Sequence, residues 1–292
     1  MKLLVFGETG QVARELKRAA AERRIEGTFL SRAQADFDNP PELEDVLESV
    51  DADIVIIAAA YTAVDKAEDD KAAAFRINAE APGAIAAACA ARGLPLIHLS
   101  TDFVFDGAAD RPYVEVDRPN PLSVYGASKL AGEKAVLDSG ARAVILRTSW
   151  VFAGHGHNFV RTMLRLGETR PALDIVADQI GGPTPARDIA ETLLTVAAAL
   201  QEGAKGGVYH YQGGPPASWA DFARAIFDAA GMATVVNDIP TGAYPAPAQR
   251  PAYSVMNCAK IMTDFGVPAP DWRKGAVEAV RDLLMQGEGV DQ

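Results

Sequence analysis

Tyr125 and Lys129 stand four residues apart, a spacing that puts both side chains on one face of a helix, about one turn from each other. A phenol with an ordinary pKa of about 10 is a poor acid at neutral pH, and a neighbouring ammonium favours its ionised form. A hydroxyl sharing the same target would complete a group able to give or take a proton at a carbonyl or alcohol oxygen. Thr101 offers one, since Ser100-Thr101-Asp102 ends an apolar run about two dozen residues upstream. The spacing alone equally fits an exposed helix, so the surrounding elements have to decide.

The first of these elements lies at the amino end. Residues 3–6 form a short apolar run, and Gly7-Glu8-Thr9-Gly10-Gln11-Val12-Ala13 follows it directly. Val12, Leu16 and the pair Ala19-Ala20 then keep a helical period to about Arg23. Strand, glycine turn and helix in this order let a backbone approach a pyrophosphate, whose charge is attracted by the free N–H groups at the helix start. Gly7, Thr9, Gly10, Gln11 and Val12 are therefore candidates for cofactor binding.

A second strand over residues 28–30 ends at Ser31-Arg32, where a dinucleotide fold meets the adenosine ribose. An acidic residue there would favour NAD; serine and arginine point to a 2′-phosphate and so to NADPH, with NADH as the alternative. Asp36 and Phe37, just beyond, complete this end of the expected cofactor site, ahead of a helix entered at Pro40-Pro41 and running to about Val50. The continuous apolar run over residues 54–57 reads as a strand buried on both faces, and the small residues Ala58, Ala59 and Ala60 leave room for a cofactor across its end. Residues 61–66 read as a loop. An alanine-rich helix is expected from Asp70 to Ala91, with Asn78 either at its surface or holding a water.

The strand over residues 96–99 places Ser100-Thr101 at its carboxyl end, where open α/β sheets collect their ligands. His98, inside that strand, reads as a satisfied core histidine. A turn-rich stretch from Asp106 to Pro121 leads to the helix carrying Tyr125, and a strand over residues 143–146 follows. Alternation of strand and helix predicts a doubly wound parallel sheet, a Rossmann-like α/β fold, with a dinucleotide-binding domain over residues 1–150. Residues 151–292 read as a smaller substrate lobe, some of whose segments return to the first domain. Helices are expected at residues 158–166, 186–200, 219–230 (with Ser218 as N-cap), 259–265 and 272–285, and a loose tail to Gln292.

Bulk properties narrow the function. With 49% hydrophobic and 23% charged residues among 292, the chain can bury a large core. A formal net charge of −11 opposes nucleic acid and anionic membranes as partners. Cys89 and Cys258 give no disulfide framework, and His155 and His157 lack a third ligand at suitable spacing, so no metal is assigned. The amino end lacks a signal peptide and no run is long enough to span a membrane, so a cytoplasmic location is expected.

Gly7-x-x-Gly10-x-x-Ala13, Ser100-Thr101 and Tyr125-x-x-x-Lys129, in this order, make the chain resemble the extended short-chain dehydrogenase/reductases. Further segments resemble the dTDP-4-dehydrorhamnose reductases within that family: Gly10-Gln11-Val12, Ala59 to Glu68, Ser100 to Phe105, Arg147 to Val151, Asp178-Gln179 with Gly182-Pro183-Thr184, and Arg250-Pro251 with Ser254. The resemblance implies hydride transfer to the C4 ketone of a nucleotide sugar, dTDP-4-dehydro-L-rhamnose, with Thr101, Tyr125 and Lys129 as catalytic groups. Tyr125 and Lys129 would also touch the cofactor, while Thr62, Val64, Thr101, Phe103 and Trp150 would line the sugar pocket. Arg250 is the candidate for the substrate's phosphates. Phe103 stands where relatives often have tyrosine, so one hydroxyl contact to the sugar is missing or supplied elsewhere. Some relatives pair into homodimers through carboxylates near the first helix and a divalent cation; Glu15 is the matching position here, without identifiable partners. An epimerase holding NAD, or an NADP-binding regulatory subunit like that of methionine adenosyltransferase, would use the same motifs.

Overall fold

The computed structural model describes residues 1–288; the expectation for the tail to Gln292 falls beyond them. In chain order the first half contains β1 (Lys2–Phe6), α1 (Gln11–Glu22), β2 (Glu26–Leu30), α2 (Glu42–Glu48), β3 (Ile54–Ile57), α3 (Val64–Asp69) and α4 (Lys71–Phe75). A π turn at Arg76–Glu80 leads to α5 (Ala81–Arg92), followed by β4 (Leu96–Thr101), α6 (Val124–Asp138) and β5 (Ala143–Thr148). The second half contains β6 (Val151–Phe152), α7 (Phe159–Gly167), β7 (Ala172–Val176), β8 (Ile180–Gly181), β9 (Thr184–Pro185), α8 (Ala186–Gln201) and β10 (Gly207–His210). It ends with β11 (Ala217–Ser218), α9 (Trp219–Ala230), β12 (Val235–Ile239), α10 (Ala259–Phe265) and α11 (Trp272–Glu288).

Six strands pair in parallel in the order β10-β5-β4-β3-β1-β2, as the alternating pattern predicts. The period of two along a strand sends successive side chains to opposite faces. Leu3 and Val5 of β1 thus join one core with Leu16 of α1 and Leu193 of α8, while Leu4 and Phe6 join a second with Leu43, Ile85 and Ile145. A third core, around Phe152, Val160, Phe222 and Trp272, holds α7, α9 and α11 together. The catalytic strand end of β4 therefore rests on a sheet covered on both sides. No helix among the described residues is long and apolar enough to cross a membrane.

Four local expectations change. Residues 64–66, read as the end of a loop, begin α3. The helix expected from Asp70 to Ala91 is broken by the π turn, just after which Pro82, four residues beyond Asn78, lacks the N–H that would bond Asn78 in a regular helix. Asn78 is fully buried rather than at the surface: its amide accepts from Tyr61 N at 2.8 Å and donates to Tyr61 O and the Ser128 hydroxyl, both at 3.0 Å. It ties the loop after β3 to α6. Finally, β12 pairs with β7, a strand that the exposed residues of Val235–Ile239 gave no alternation to reveal.

Candidate active site

The glycine turn has the shape a pyrophosphate needs. Gly7 has φ +125°, and a side chain there would press on Ala59 N at 3.1 Å. The space around Gly10 is open, and Gly10 caps α1 with no side-chain bond to the first N–H groups. Those donors lack intrahelical partners and face the turn. Thr9 is exposed, Gln11 half-buried and Val12 buried, and Ala58, Ala59 and Ala60 line the adjoining strand end, half-buried. This cradle fits a dinucleotide.

At the adenosine end, Arg32 extends into solvent with its side chain 74% exposed, held by Asp38 at 2.5 Å and Asp36 at 3.4 Å. Arg76 meets Asp38 from the other side at 3.1 Å. Two guanidinium groups thus converge on one carboxylate where the ribose is expected, and Ser31 donates to Gln34 at 2.8 Å. Phe37 packs into the core against Phe6, ring centres 5.9 Å apart, so its ring faces the core.

Tyr125 stands beside the Thr101 hydroxyl, and Lys129 follows one turn along the same helix, as the spacing predicts. Ser123 caps α6 by accepting from Gly126 N, which fixes where the helix starts and so which face carries Tyr125 and Lys129. The Thr101 hydroxyl accepts from Phe103 N at 3.2 Å and donates to Asp102 Oδ1 at 3.1 Å. Phe103 meets Tyr125 edge-on, ring centres 5.6 Å apart.

The electrostatics differ from the expectation in one respect. Lys129 is buried, and its ammonium donates to Leu99 O at 2.7 Å and lies 3.3 Å from His98 Nε2. Burial lowers its pKa to about 8, against the pull of Glu133. It does not depress the phenol: burial pushes Tyr125 up to about 12, with the Thr101 hydroxyl pulling it back and Asp102 adding to the rise. His98 is buried and held neutral by burial and by Lys129, but only its Nε2 has a partner; Nδ1 has none. The core histidine is therefore a companion of the lysine, half satisfied.

Trp150 adopts φ +45° and lies flat on Trp219, ring centres 3.6 Å apart and 5° from parallel. Trp219 Nε1 donates to Gln179 Oε1 at 3.2 Å. Sequence reasoning found Trp150 but not Trp219, which is 69 positions further along and was read only as the start of a helix. Thr62 is exposed and Val64 half-buried at the start of α3. Arg250 is bonded to Asp65 at 2.8 Å and to Ala248 O at 3.0 Å, joining the segment after β12 to α3.

Comparison with known proteins agrees with this arrangement. The RmlD substrate binding domain family matches residues 1–285. A dTDP-4-dehydrorhamnose reductase of Burkholderia thailandensis is 46% identical over 301 residues, spanning 98% of this chain and 100% of its own. The chain belongs to the dTDP-4-dehydrorhamnose reductase family. Solved structures of family members have the same fold. The Clostridium acetobutylicum reductase is 35% identical, with a TM-score of 0.91 over 98% of this chain and 100% of its own. The Bacillus anthracis reductase, solved in complex with NADP, is 32% identical, with a TM-score of 0.89 over 98% and 99%. The dTDP-4-dehydrorhamnose reductases are NAD(P)-dependent oxidoreductases.

Proposed function

We propose that the protein reduces the C4 ketone of dTDP-4-dehydro-L-rhamnose to give dTDP-L-rhamnose, using NADPH or, as the alternative, NADH. The observation that carries this reading is the grouping of Thr101, Tyr125 and Lys129 at the carboxyl end of β4, in a chain matched from end to end by reductases. Bound in the glycine cradle, the dinucleotide supplies the hydride.

The chain's own groups do the rest. With its pKa near 12, Tyr125 is a neutral phenol at working pH, the form a proton donor needs, and it protonates the C4 oxygen. Thr101 shares that oxygen by hydrogen bond. Lys129, fixed by Leu99 and His98, holds positive charge beside the nicotinamide ribose. Thr62, Val64, Phe103 and Trp150 enclose the sugar, and Arg250, pre-set by Asp65, meets the phosphates. Arg32 takes the 2′-phosphate by exchanging Asp38 for it.

The unit before residue 150 holds the cofactor, and the smaller one after it the sugar nucleotide. The chain acts as a cytoplasmic homodimer without nucleic acid, in keeping with its net charge of −11. NADPH oxidation that depends on added dTDP-4-dehydro-L-rhamnose tests the reading. Purified protein carrying stoichiometric NAD and interconverting epimers without consuming NADPH would refute it; relatives bearing reductase names support reduction over that alternative and over a non-catalytic NADP-binding subunit.

A further inference from the structure

Asp102 is a carboxylate that the reaction above does not use, and it lies against one that does. It follows Thr101 directly, is 2% exposed and forms no ion pair among the described residues. Its Oδ1 accepts the Thr101 hydroxyl at 3.1 Å, while its Oδ2 is enclosed with no hydrogen-bond partner. An ionised carboxylate in such a place is costly, because Oδ2 has lost water while the nearby Ser254 hydroxyl stands outside hydrogen-bond geometry. We propose that Asp102 is a positioning residue of the reduction, setting whether the Thr101 hydroxyl gives its hydrogen to the reacting oxygen or withholds it. The inference rests on the reductase reading.

A hydroxyl has one hydrogen and two lone pairs. When Asp102 is ionised, the Thr101 hydrogen is committed to Oδ1, and one lone pair is taken by Phe103 N–H. What remains is a lone pair, which gives the ketone oxygen nothing. When Asp102 binds a proton from solvent, its own O–H donates to Thr101, whose hydrogen is then free to turn to the C4 oxygen. No covalent bond of the substrate is involved; one hydroxyl rotates. The protonated form thus offers the developing alkoxide two donors, Tyr125 and Thr101, and the ionised form one.

Burial brings this change into the working range, pushing the Asp102 pKa up to about 6, against the hydroxyls of Ser254 and Thr101 and the nearby backbone N–H groups. The groups that face it are Thr101 at its own strand end, Ser254 from the segment after Arg250, and Tyr125 from α6. Lys129, one turn along α6, is turned away to Leu99 and His98.

The test is the pH dependence of NADPH-driven reduction of dTDP-4-dehydro-L-rhamnose, from about pH 5 to about pH 8 in steps of one protonation unit or less. It compares the full-length protein with Asp102→Asn, Thr101→Val and the double variant. The unaltered protein should show kcat rising toward acid with a midpoint near 6. The two plateaus should differ by about 10²-fold, the loss that one missing donor to an oxyanion brings. The rise should vanish in Asp102→Asn and in Thr101→Val, and adding Asp102→Asn to Thr101→Val should change kcat by less than about twofold. A rise that persists in Thr101→Val, or losses that simply multiply in the double variant, overturns the inference. Should Asp102→Asn not fold, the profiles of the unaltered protein and Thr101→Val decide alone. Unaltered protein that never oxidises NADPH on this ketone overturns the reductase reading itself.

Discussion

Arg147 of β5 meets Glu133 of α6 through two bonds, Nε to Oε1 at 2.8 Å and Nη2 to Oε2 at 2.6 Å, with both side chains at most 4% exposed. The Ser100 hydroxyl also donates to this carboxylate at 2.5 Å, and His210 Nε2 lies 3.3 Å from the guanidinium. The pair sits one turn beyond Lys129 and joins the catalytic helix to both strands beneath it. Removing one partner of a buried pair leaves an uncompensated charge. Glu133→Ala should therefore destabilise the fold by about 3–5 kcal/mol, read from urea unfolding. A loss below about 1 kcal/mol would mean that water reaches Arg147.

Tyr125→Phe keeps the ring that packs against Phe103 and removes only the donor. It should lower kcat by about 10²–10⁴-fold and leave the dissociation constant for NADPH nearly unchanged, as titration of the cofactor would report. Unchanged turnover would remove Tyr125 from the mechanism.

Arg32 already spends its charge on Asp36 and Asp38 at the surface, so it can exchange these for a phosphate at little structural cost. Arg32→Ala should raise KM for NADPH by about tenfold, some 1.4 kcal/mol, and leave KM for NADH as it was. Equal effects on both cofactors would count against a 2′-phosphate contact.

A side chain on Gly181 would meet the Trp150 indole, the ring that stacks on Trp219, at 2.6 Å. Gly181→Ala should displace Trp150 and raise KM for the sugar nucleotide far more than it lowers kcat. Steady-state kinetics with the substrate varied would show the reverse pattern if Trp150 were remote from the sugar.

His210 has a pKa lowered to about 3, chiefly by burial and then by Arg147. The unfolded chain binds a proton here near 6.5 and the native one does not until about 3, so the stability that neutral His210 secures is present above 6.5 and lost as pH falls. Asp102 acts in the opposite direction between about 6 and 3.8, where the native form binds more protons. Going from about pH 7 to about pH 5, the protein should lose about 2 kcal/mol more than His210→Gln does. Denaturant unfolding at the two pH values measures it, and equal slopes would place His210 in contact with solvent.

The sequence by itself determined the parallel sheet, because strands buried on both faces must be apolar throughout, as residues 54–57 are, and these runs alternate with helical ones. It also determined that Tyr125 and Lys129 share one helix and that a glycine turn follows β1, since four-residue spacing fixes a helix face and a glycine after a strand fixes a turn. Only the tertiary structure decided what surrounds them. The stacking of Trp219 on Trp150, the salt bridge of Asp65 to Arg250 and the ties of Asn78 to Tyr61 and Ser128 link residues 17 to 185 positions apart, beyond the reach of any local period. The direction of the shift at Tyr125 was likewise out of reach: helical spacing puts Lys129 near the phenol, but burial and the Leu99 carbonyl decide where its charge goes. Asp102, read in sequence as the end of a strand, owes its character to being enclosed, and enclosure is a property of the folded chain alone.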